Sequence, residues 1–299
     1  MTFPEGQFKI LILGSNGQLG SSIKDILKKT NHIILARNSK DFNLLNNNYI
    51  NELKEFMPDI VINCAAFTKV DLAESNKDHA MKVNAYALQN LLEEIKKIDS
   101  VLIHFSTDYV FDGKNKNTVD ENDITNPLSV YGLSKLMGEE FIKNSGIRYY
   151  IFRVGWLYST HGQNFVKSIV NKGKSQSVLE VVDDQFGSPT SSYFIAKVII
   201  QLIKNKKFPI NYGIYHLSSL GVTNWYNFAK KIKDLSKKID DKFIANIIPI
   251  NSENSSNIAK RPKYVHLSKD KIIDTFDISI PTWEDSLCKN FEEIYRRNT

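Results

Sequence analysis

The sequence predicts an α/β protein with a doubly wound parallel sheet, followed by a smaller, mixed α/β C-terminal portion. In the first half of the 299 residues, short apolar runs alternate with segments of helical periodicity, and beyond about Trp156 this rhythm changes. Strands that alternate with helices pair in parallel through right-handed crossovers, which builds a doubly wound sheet. A glycine-rich turn between the first strand and the first helix is the third observation that favours this class.

The elements of the first half follow from periodicity. Five apolar runs are predicted strands: FKILIL, HIILA, DIVINCAA, VLIHFS and RYYIFRV. In QLGSSIKDILKK the residues Leu19, Ile23, Ile26 and Leu27 share one face, which predicts an amphipathic helix. Further helices are predicted over HAMKVNAYALQNLLEEIKKI and over the segment that contains Tyr131.

The second half is predicted to mix short strands with amphipathic helices. VLEVVDDQFGSPT is a predicted strand that ends in a turn, and GIYHLSS is a predicted strand. Helices are predicted over SYFIAKVIIQLIKN, TNWYNFAKKIKDL and TWEDSLCKNFEEIYRR.

Composition excludes several classes of protein. A hydrophobic content of 42% and an aromatic content of 11% are typical of a globular chain, not of a disordered one. The net charge of +6 comes from lysines that alternate with acids, so no dense basic tract favours nucleic-acid binding. Cys64 and Cys288 can form no disulfide framework and match no zinc spacing. The first ten residues resemble no signal peptide and no apolar run is long enough to span a bilayer, so we expect a cytoplasmic protein without a membrane partner.

The glycine-rich turn GSNGQLG carries Gly14, Gly17 and Gly20 between the first predicted strand and helix. Glycines let the backbone turn sharply and approach a ligand, and the N–H groups at a helix start can bind a pyrophosphate. The spacing is G-x-x-G-x-x-G instead of the usual G-x-G-x-x-G, and a purely structural turn is the alternative. The alternating sheet around the turn favours dinucleotide binding in a Rossmann-type domain.

This turn also sets the predicted domain organisation. Residues 1–155 are predicted to form the dinucleotide-binding domain, with residues 186–205 returning to it. Residues 156–185 and 206–299 are predicted to form the substrate-binding domain.

The end of the second predicted strand bears on the choice of cofactor. An acid at this position binds a free ribose 2′-hydroxyl, whereas an arginine favours a 2′-phosphate. The sequence LARNSKDF places Arg37 and Lys40 there, which favours NADPH, with NADH as the alternative. Arg37 as an ordinary solvated charge also remains open.

Tyr131 and Lys135 are four positions apart on a predicted helix, so they share one face. Thr107 and Asp108 follow the fourth predicted strand, at the edge where doubly wound sheets bind ligands. A ketone that accepts a hydride needs a proton, and a lysine ammonium beside a phenol is expected to lower the pKa of that phenol. We therefore predict Tyr131 as the proton donor, Lys135 as the group that acidifies it, and Thr107 as a hydrogen-bond donor to the ketone oxygen.

Together these motifs resemble the extended short-chain dehydrogenase/reductase family. Nine segments follow the order found in its reductases of dTDP-linked 4-keto-6-deoxy sugars: GSNGQLG, NCAAFTKVDLAE, VNAYALQNL, STDYVFDG, YGLSKLMGE, FRVGWLY, NFV, DDQFGSPT and KRP. They cover almost the whole chain.

The resemblance implies a role for individual residues. The pyrophosphate is expected to bind Gly14, Asn16, Gly17, Gln18 and Leu19. The adenine is expected between Asp41 and Phe42, and the rest of the nucleotide beside Ala65, Ala66 and Thr68. The catalytic positions match Thr107, Tyr131 and Lys135. Sugar-nucleotide contacts match Val70, Thr107, Asp108, Tyr109, Tyr131 and Trp156, with packing between domains as the alternative for Trp156 and a loop anchor as the alternative for Val70.

The implied reaction is the NADPH-dependent reduction of the C4 ketone of dTDP-4-dehydro-L-rhamnose to dTDP-L-rhamnose. Tyr109 follows Asp108 where related dehydratases carry a glutamate, which favours reduction over elimination. The chain departs from the family at Val265, where a serine is expected near Arg261, so Arg261 is left as a candidate phosphate ligand.

Two alternatives remain: a reductase or epimerase of another nucleotide-linked 4-keto-6-deoxy sugar, and a non-catalytic regulatory subunit. No metal site is predicted, and a homodimer is one option for the oligomeric state.

Overall fold

The computed structural model describes residues 6–205 and 208–298. The parts of the predicted domains that fall on residues 1–5, 206, 207 and 299 lie outside the described residues. Among the described residues, no helix combines the length and the apolar character needed to cross a membrane.

The strands, in chain order, are β1 (Lys9–Leu13), β2 (Ile33–Arg37), β3 (Ile60–Asn63), β4 (Val101–Thr107), β5 (Thr118–Val119), β6 (Arg148–Val154), β7 (Leu157–Tyr158), β8 (Val178–Val182), β9 (Phe186–Gly187), β10 (Thr190–Ser191), β11 (Gly213–His216), β12 (Thr223–Asn224), β13 (Asn246–Ile250) and β14 (His266–Leu267). Within the described residues, six of them form a parallel sheet in the order β11-β6-β4-β3-β1-β2. The others form the two-stranded pairs β7-β10, β9-β12, β8-β13 and β5-β14. The predicted α/β class with a doubly wound parallel sheet is confirmed.

The helices are α1 (Gln18–Leu27), α2 (Ile50–Phe56), α3 (Val70–Ser75), α4 (Lys77–Met81), α5 (Ala87–Lys97), α6 (Val130–Asn144), α7 (Phe165–Ser175), α8 (Ser192–Lys204), α9 (Trp225–Lys237), α10 (Asp270–Phe276) and α11 (Trp283–Arg296). The single long helix predicted before β4 is interrupted, because a π-helical turn at Lys82–Tyr86 joins α4 to α5. Such turns widen the hydrogen-bonding pattern by one residue and are frequent at functional sites.

Alternation along β1 assigns its side chains to two different cores. Ile10 and Ile12 pack in one cluster with side chains of α1, α8 and α10. Leu11 and Leu13 pack in a second cluster, with side chains of α2, α5 and α6. Because successive side chains of a strand point to opposite faces, helices cover both faces of the sheet.

The second half of the chain forms a hydrophobic cluster of its own and also adds a strand to the central sheet. A third cluster joins apolar side chains of α7, α9 and α11 to those of β8 and β13. The strand β11, by contrast, lies in the stretch 206–299 assigned to the substrate-binding domain, yet it pairs with β6 as an edge of the central sheet. Its own sequence predicted a strand but carried no information on its partner. The division into two domains stays a prediction.

Candidate active site

The turn between β1 and α1 requires glycine at two positions. Gly14 has a φ of +69°, and a Cβ atom added to it would lie 2.6 Å from the backbone nitrogen of Ala65. A Cβ atom added to Gly20 would overlap the carbonyl oxygen of Gly14. Gly17 is the N-cap of α1 and provides no side-chain cap, so within the described residues the first N–H groups of this helix are open to an anion. The turn therefore fits a pyrophosphate.

A cavity of about 620 Å³ lies beyond this turn, at the carboxyl ends of β3, β4 and β6 and beside α6. It brings together most of the predicted site residues, namely Gly17, Gln18, Leu19, Ala65, Ala66, Thr68, Val70, Thr107, Asp108, Tyr109, Tyr131, Lys135 and Trp156. The Oε1 atom of Gln18 is buried and has no hydrogen-bond partner among the described residues. A ligand with hydrogen-bond donors would satisfy that atom.

Five predicted cofactor residues lie outside the lining of this cavity: Gly14, Asn16, Arg37, Asp41 and Phe42. Arg37 is paired with Glu52, whose Oε1 atom lies 2.8 Å from the guanidinium Nε. The ring of Phe42 is only 3% exposed and stacks on Tyr49, so it is part of the core beneath the predicted adenine position. Asp41 is exposed and accepts a hydrogen bond of 2.6 Å from Asn38.

The predicted catalytic residues converge because β4 ends where α6 begins. Ser129 caps α6 by accepting a hydrogen bond of 3.1 Å from Gly132, and Tyr131 and Lys135 follow on the first turns of the helix. Thr107 closes β4, and its hydroxyl oxygen donates to Oδ1 of Asp108 (3.1 Å). Thr107, Tyr131 and Lys135 all line the cavity.

Burial works against the predicted acidification of Tyr131 by Lys135. Burial raises the pKa of the Tyr131 phenol to about 12; a hydrogen bond with Thr107 opposes this rise and the nearby Asp108 carboxylate adds to it. Burial also lowers the pKa of Lys135 to about 8, with Glu139 and Cys64 acting in the opposite direction. The physical reason is desolvation, which disfavours the charged form of both groups and outweighs their neighbours.

Asp108 and Trp156 have unusual settings on the substrate side. Burial raises the pKa of the Asp108 carboxyl group to about 7. Trp156 has a φ of +47°, and its ring lies parallel to that of Trp225 with 3.5 Å between the ring centroids. Trp156 therefore both lines the cavity and packs against α9, so its two predicted roles are compatible.

Arg261, a predicted phosphate ligand, is paired with a residue that the sequence analysis missed. Its Nη2 atom lies 2.6 Å from Oδ2 of Asp71, and Asp71 also accepts backbone hydrogen bonds of 3.0 Å from Ile258 and Ala259. This contact joins α3 to the loop before β14. The only signal in the sequence was that Asp71 directly follows Val70 in KVDLAE.

The structure also shows the surroundings of Val265 and His104. Val265 stands where the family pattern has serine. It is 4% exposed in an apolar cluster with Val110, Phe111 and Leu267, where a side chain without a hydroxyl group packs well. His104 is buried beside Lys135, with 3.1 Å between Nε2 and Nζ. Its signal in the sequence was an isolated polar residue within the apolar strand VLIHFS.

Comparisons with known proteins agree with this geometry. The family model of the RmlD substrate binding domain matches residues 8–296. The dTDP-4-dehydrorhamnose reductase of Aggregatibacter actinomycetemcomitans is 35% identical over 93% of this chain and 97% of its own length. The Bacillus subtilis spore coat polysaccharide biosynthesis protein SpsK is 33% identical over 95% of this chain and 97% of its own length.

Solved structures give the same result. A dTDP-4-dehydrorhamnose reductase from Clostridium acetobutylicum superposes with a TM-score of 0.88 at 38% identity, over 96% of this chain and 99% of that one. The Bacillus anthracis dTDP-4-dehydrorhamnose reductase, solved in complex with NADP, has a TM-score of 0.88 at 34% identity over the same shares. The resemblance inferred from the motifs is confirmed: the chain belongs to the dTDP-4-dehydrorhamnose reductase family of extended short-chain dehydrogenases/reductases.

Proposed function

We propose that the protein reduces the C4 ketone of dTDP-4-dehydro-L-rhamnose to dTDP-L-rhamnose with NADPH as hydride donor. The observation that carries this proposal is one cavity lined both by the start of α1 and by Thr107, Tyr131 and Lys135. A dinucleotide bound at the glycine turn and a ketone at Tyr131 would share that cavity. Membership of the reductase family supports the choice of substrate.

The residues of the glycine turn hold the cofactor in this proposal. The open N–H groups at the start of α1 bind the pyrophosphate, and the free Oε1 atom of Gln18 accepts a hydrogen bond from a ribose hydroxyl of the cofactor. Ala65, Ala66 and Thr68 pack against the nucleotide beyond β3. When bound, NADPH supplies the hydride.

Tyr131 supplies the proton. A phenol with a pKa of about 12 carries its proton throughout the neutral range, and an alkoxide is a much stronger base than a phenolate. Proton transfer from Tyr131 to the alkoxide is therefore favourable without prior acidification. The Thr107 hydroxyl has one hydrogen, which it donates to Asp108 in this structure, and in the proposed complex this hydrogen turns to the ketone oxygen as negative charge develops.

The substrate side of the cavity is assigned to Val70, Asp108, Tyr109 and Trp156. The ring of Tyr109 meets that of Tyr131 edge to face, with 6.0 Å between their centroids, so it helps to orient the phenol. The stack of Trp156 on Trp225 offers a rigid apolar wall against which a sugar ring can pack.

NADPH is proposed in preference to NADH because Arg37 lies at the end of β2. Its guanidinium is shared with Glu52, so a 2′-phosphate must compete with that carboxylate. The NADP complex of the Bacillus anthracis relative supports this choice.

The test mixes the protein with NADPH and dTDP-4-dehydro-L-rhamnose, follows the loss of NADPH absorbance and identifies the product by mass spectrometry and NMR. We expect stoichiometric formation of dTDP-L-rhamnose and a lower kcat/KM with NADH. Binding of NADPH without turnover would contradict the proposal, and purified protein that retains NAD⁺ tightly would favour an epimerase. The homodimer and the cytoplasmic location stay predictions.

A further inference from the structure

A polar segment, residues 253–261, forms a strap across the substrate side of the molecule between two anchored points. At its start, the Asp184 carboxylate accepts hydrogen bonds of 2.8 Å from both the backbone N–H and the hydroxyl group of Ser252. At its end, the backbone N–H of Phe186 donates a hydrogen bond of 2.8 Å to the carbonyl oxygen of Lys263. Because both ends are fixed, the position of the middle of the strap depends on its contacts with other elements.

The middle of the strap is tied to the start of α3 by one carboxylate. Asp71 accepts hydrogen bonds of 3.0 Å from the backbone N–H groups of Ile258 and Ala259. Its two oxygens also accept from the guanidinium of Arg261, at 2.6 and 3.1 Å. Among the residues that the structure describes, the other hydrogen bond from the strap to a different element joins Arg261 to Tyr109. One side chain thus binds the strap at three points.

The Asp71 carboxylate is charged at neutral pH. Burial raises its pKa, but the hydrogen bonds from Arg261 and from the strap backbone outweigh burial and hold the pKa below its ordinary value. The Arg261 side chain is 14% exposed, so little water reaches the pair from that side. Two charge-assisted hydrogen bonds to a planar guanidinium fix its orientation as well as its position. Asp71 therefore determines both where the strap lies and which way Arg261 points.

The strap lies along a groove that continues from the active-site cavity. Strap residues line two cavities of about 740 and 760 Å³, and Arg261 lines both. The second of these cavities is also lined by Phe165 and Trp225, which line the active-site cavity as well. A nucleotide linked to a sugar at Tyr131 can therefore extend past Trp225 towards Arg261.

We infer that Asp71 is a positioning residue for the sugar nucleotide, because it holds the strap closed over this groove and turns the Arg261 guanidinium towards the substrate's diphosphate. This inference rests on the proposed reductase function, which requires a nucleotide-linked substrate. A guanidinium has five N–H donors, so Arg261 can bind Asp71 and a phosphate oxygen at the same time. Asp71 contacts neither the ketone nor the diphosphate, and its effect on binding passes through the strap.

The sign of one measurement separates positioning from competition between charges. If Asp71 merely competed with the diphosphate for Arg261, removing its negative charge would strengthen the binding of an anion. If Asp71 positions the strap and Arg261, its removal weakens the binding of the same anion, although the site becomes more positive.

Isothermal titration calorimetry of the full chain with dTDP, and separately with NADPH, measures both Kd values without turnover. Asp71→Asn keeps an oxygen for the strap N–H groups but places an NH₂ group against the guanidinium, whereas Asp71→Ala loses every contact with the strap. We expect the Kd for dTDP to rise about threefold in Asp71→Asn and about tenfold in Asp71→Ala. The Kd for NADPH should not change in either variant.

Hydrogen–deuterium exchange, followed by mass spectrometry, reports on the strap itself. The N–H groups of Ile258 and Ala259 should exchange faster in Asp71→Ala than in the wild type, because they lose their acceptor. Asp99→Asn is the matched control, since it makes the same change in an aspartate paired with Arg148 at 2.9 Å, at the amino end of β6. We expect it to change neither the Kd for dTDP nor exchange in the strap.

Tighter binding of dTDP in Asp71→Asn would show competition instead of positioning and would overturn the inference. An unchanged Kd in both variants, an equal change in the control, or unchanged exchange of the strap in Asp71→Ala would overturn it as well. A protein that binds dTDP as expected but does not reduce the sugar nucleotide would contradict the proposed function alone, so the two failures are distinguishable.

Discussion

Two ends of one cavity are built on opposite principles. At the glycine turn, the structure depends on side chains that are missing, since a Cβ atom at Gly14 or Gly20 would meet backbone. Around Lys135 it depends on side chains that are present and buried, each satisfied by the next. The first end is encoded in seven consecutive residues, whereas the second is assembled from β3, β4 and α6. Local sequence is therefore a good guide to the first end and a poor guide to the second.

The largest effect is expected at the end of the cavity around Lys135, where Tyr131 lies. Tyr131→Phe removes the proposed proton donor, so we expect kcat to fall by about 10²–10⁴ while NADPH binding persists. Steady-state kinetics and fluorescence titration with NADPH measure the two quantities. The same change at the exposed Tyr86 is the control, and unchanged turnover in Tyr131→Phe would remove Tyr131 from the mechanism.

The glycine end is expected to respond through stability and binding together. Gly20→Ala forces the added Cβ atom against the carbonyl oxygen of Gly14, so α1 must move, at a cost of about 1–3 kcal/mol. Thermal unfolding measures the stability, and the Kd for NADPH should rise in parallel. Gly17→Ala provides a graded comparison, because its Cβ atom would lie 3.3 Å from the same oxygen. A larger loss of stability at Gly17 than at Gly20 would contradict the steric argument.

Cofactor choice tests the charge pair of Arg37 and Glu52, which lies at the end of β2, outside the cavity. Arg37→Ala removes the cation proposed to bind the 2′-phosphate, so we expect the KM for NADPH to rise about tenfold, or ~1.4 kcal/mol, with little change for NADH. Glu52→Gln frees Arg37 from its carboxylate partner and should have the opposite effect on NADPH. Equal changes for both cofactors in Arg37→Ala would show that Arg37 does not select between them.

The last prediction concerns Asp108 and pH. Burial raises its pKa from 3.8 in the unfolded chain to about 7 in the folded one, so its contribution to stability is complete below pH 3.8 and is lost as pH rises through 7. Asp108→Asn cannot ionise and should therefore gain stability over the wild type across this window. We expect a Tm advantage above pH 7 of about 2–4 °C for each kcal/mol gained. A Tm difference that does not vary with pH would contradict the assigned pKa.

Periodicity predicted the elements whose pattern is complete within their own residues. The strands β1, β3 and β6 and the helices α1, α8 and α11 fall within their predicted segments, whereas β4 ends one residue and α9 two residues beyond theirs. The helix α7 was missed, and the π-helical turn at Lys82–Tyr86 was invisible because it changes backbone hydrogen bonds without changing which residues are apolar. The pairing of β11 with β6 joins residues about sixty positions apart, which no local pattern encodes.

The properties of the candidate site also divide into those that local sequence predicts and those that it does not. Spacing predicted that Thr107, Tyr131 and Lys135 would meet, because each lies at a known place relative to a strand end or a helix turn. The effect of burial on their pKa values was not predictable, since desolvation depends on everything packed around them. The partners of Arg37, Lys135 and Arg261 come from distant segments for the same reason.

The position of α8 and β11 has a consequence for how the chain reaches its fold. Apolar side chains of α8 lie against α1 and the sheet, and β11 completes the edge beside β6. During synthesis, the emerging chain up to Val154 therefore has only α1 to cover one face of its own sheet. Residues 1–155 released alone would expose the rest of that apolar face and an unpaired edge, the features that drive aggregation of incomplete chains. The sheet is thus not complete before the ribosome has passed residue 216, and α10 joins the same face later still.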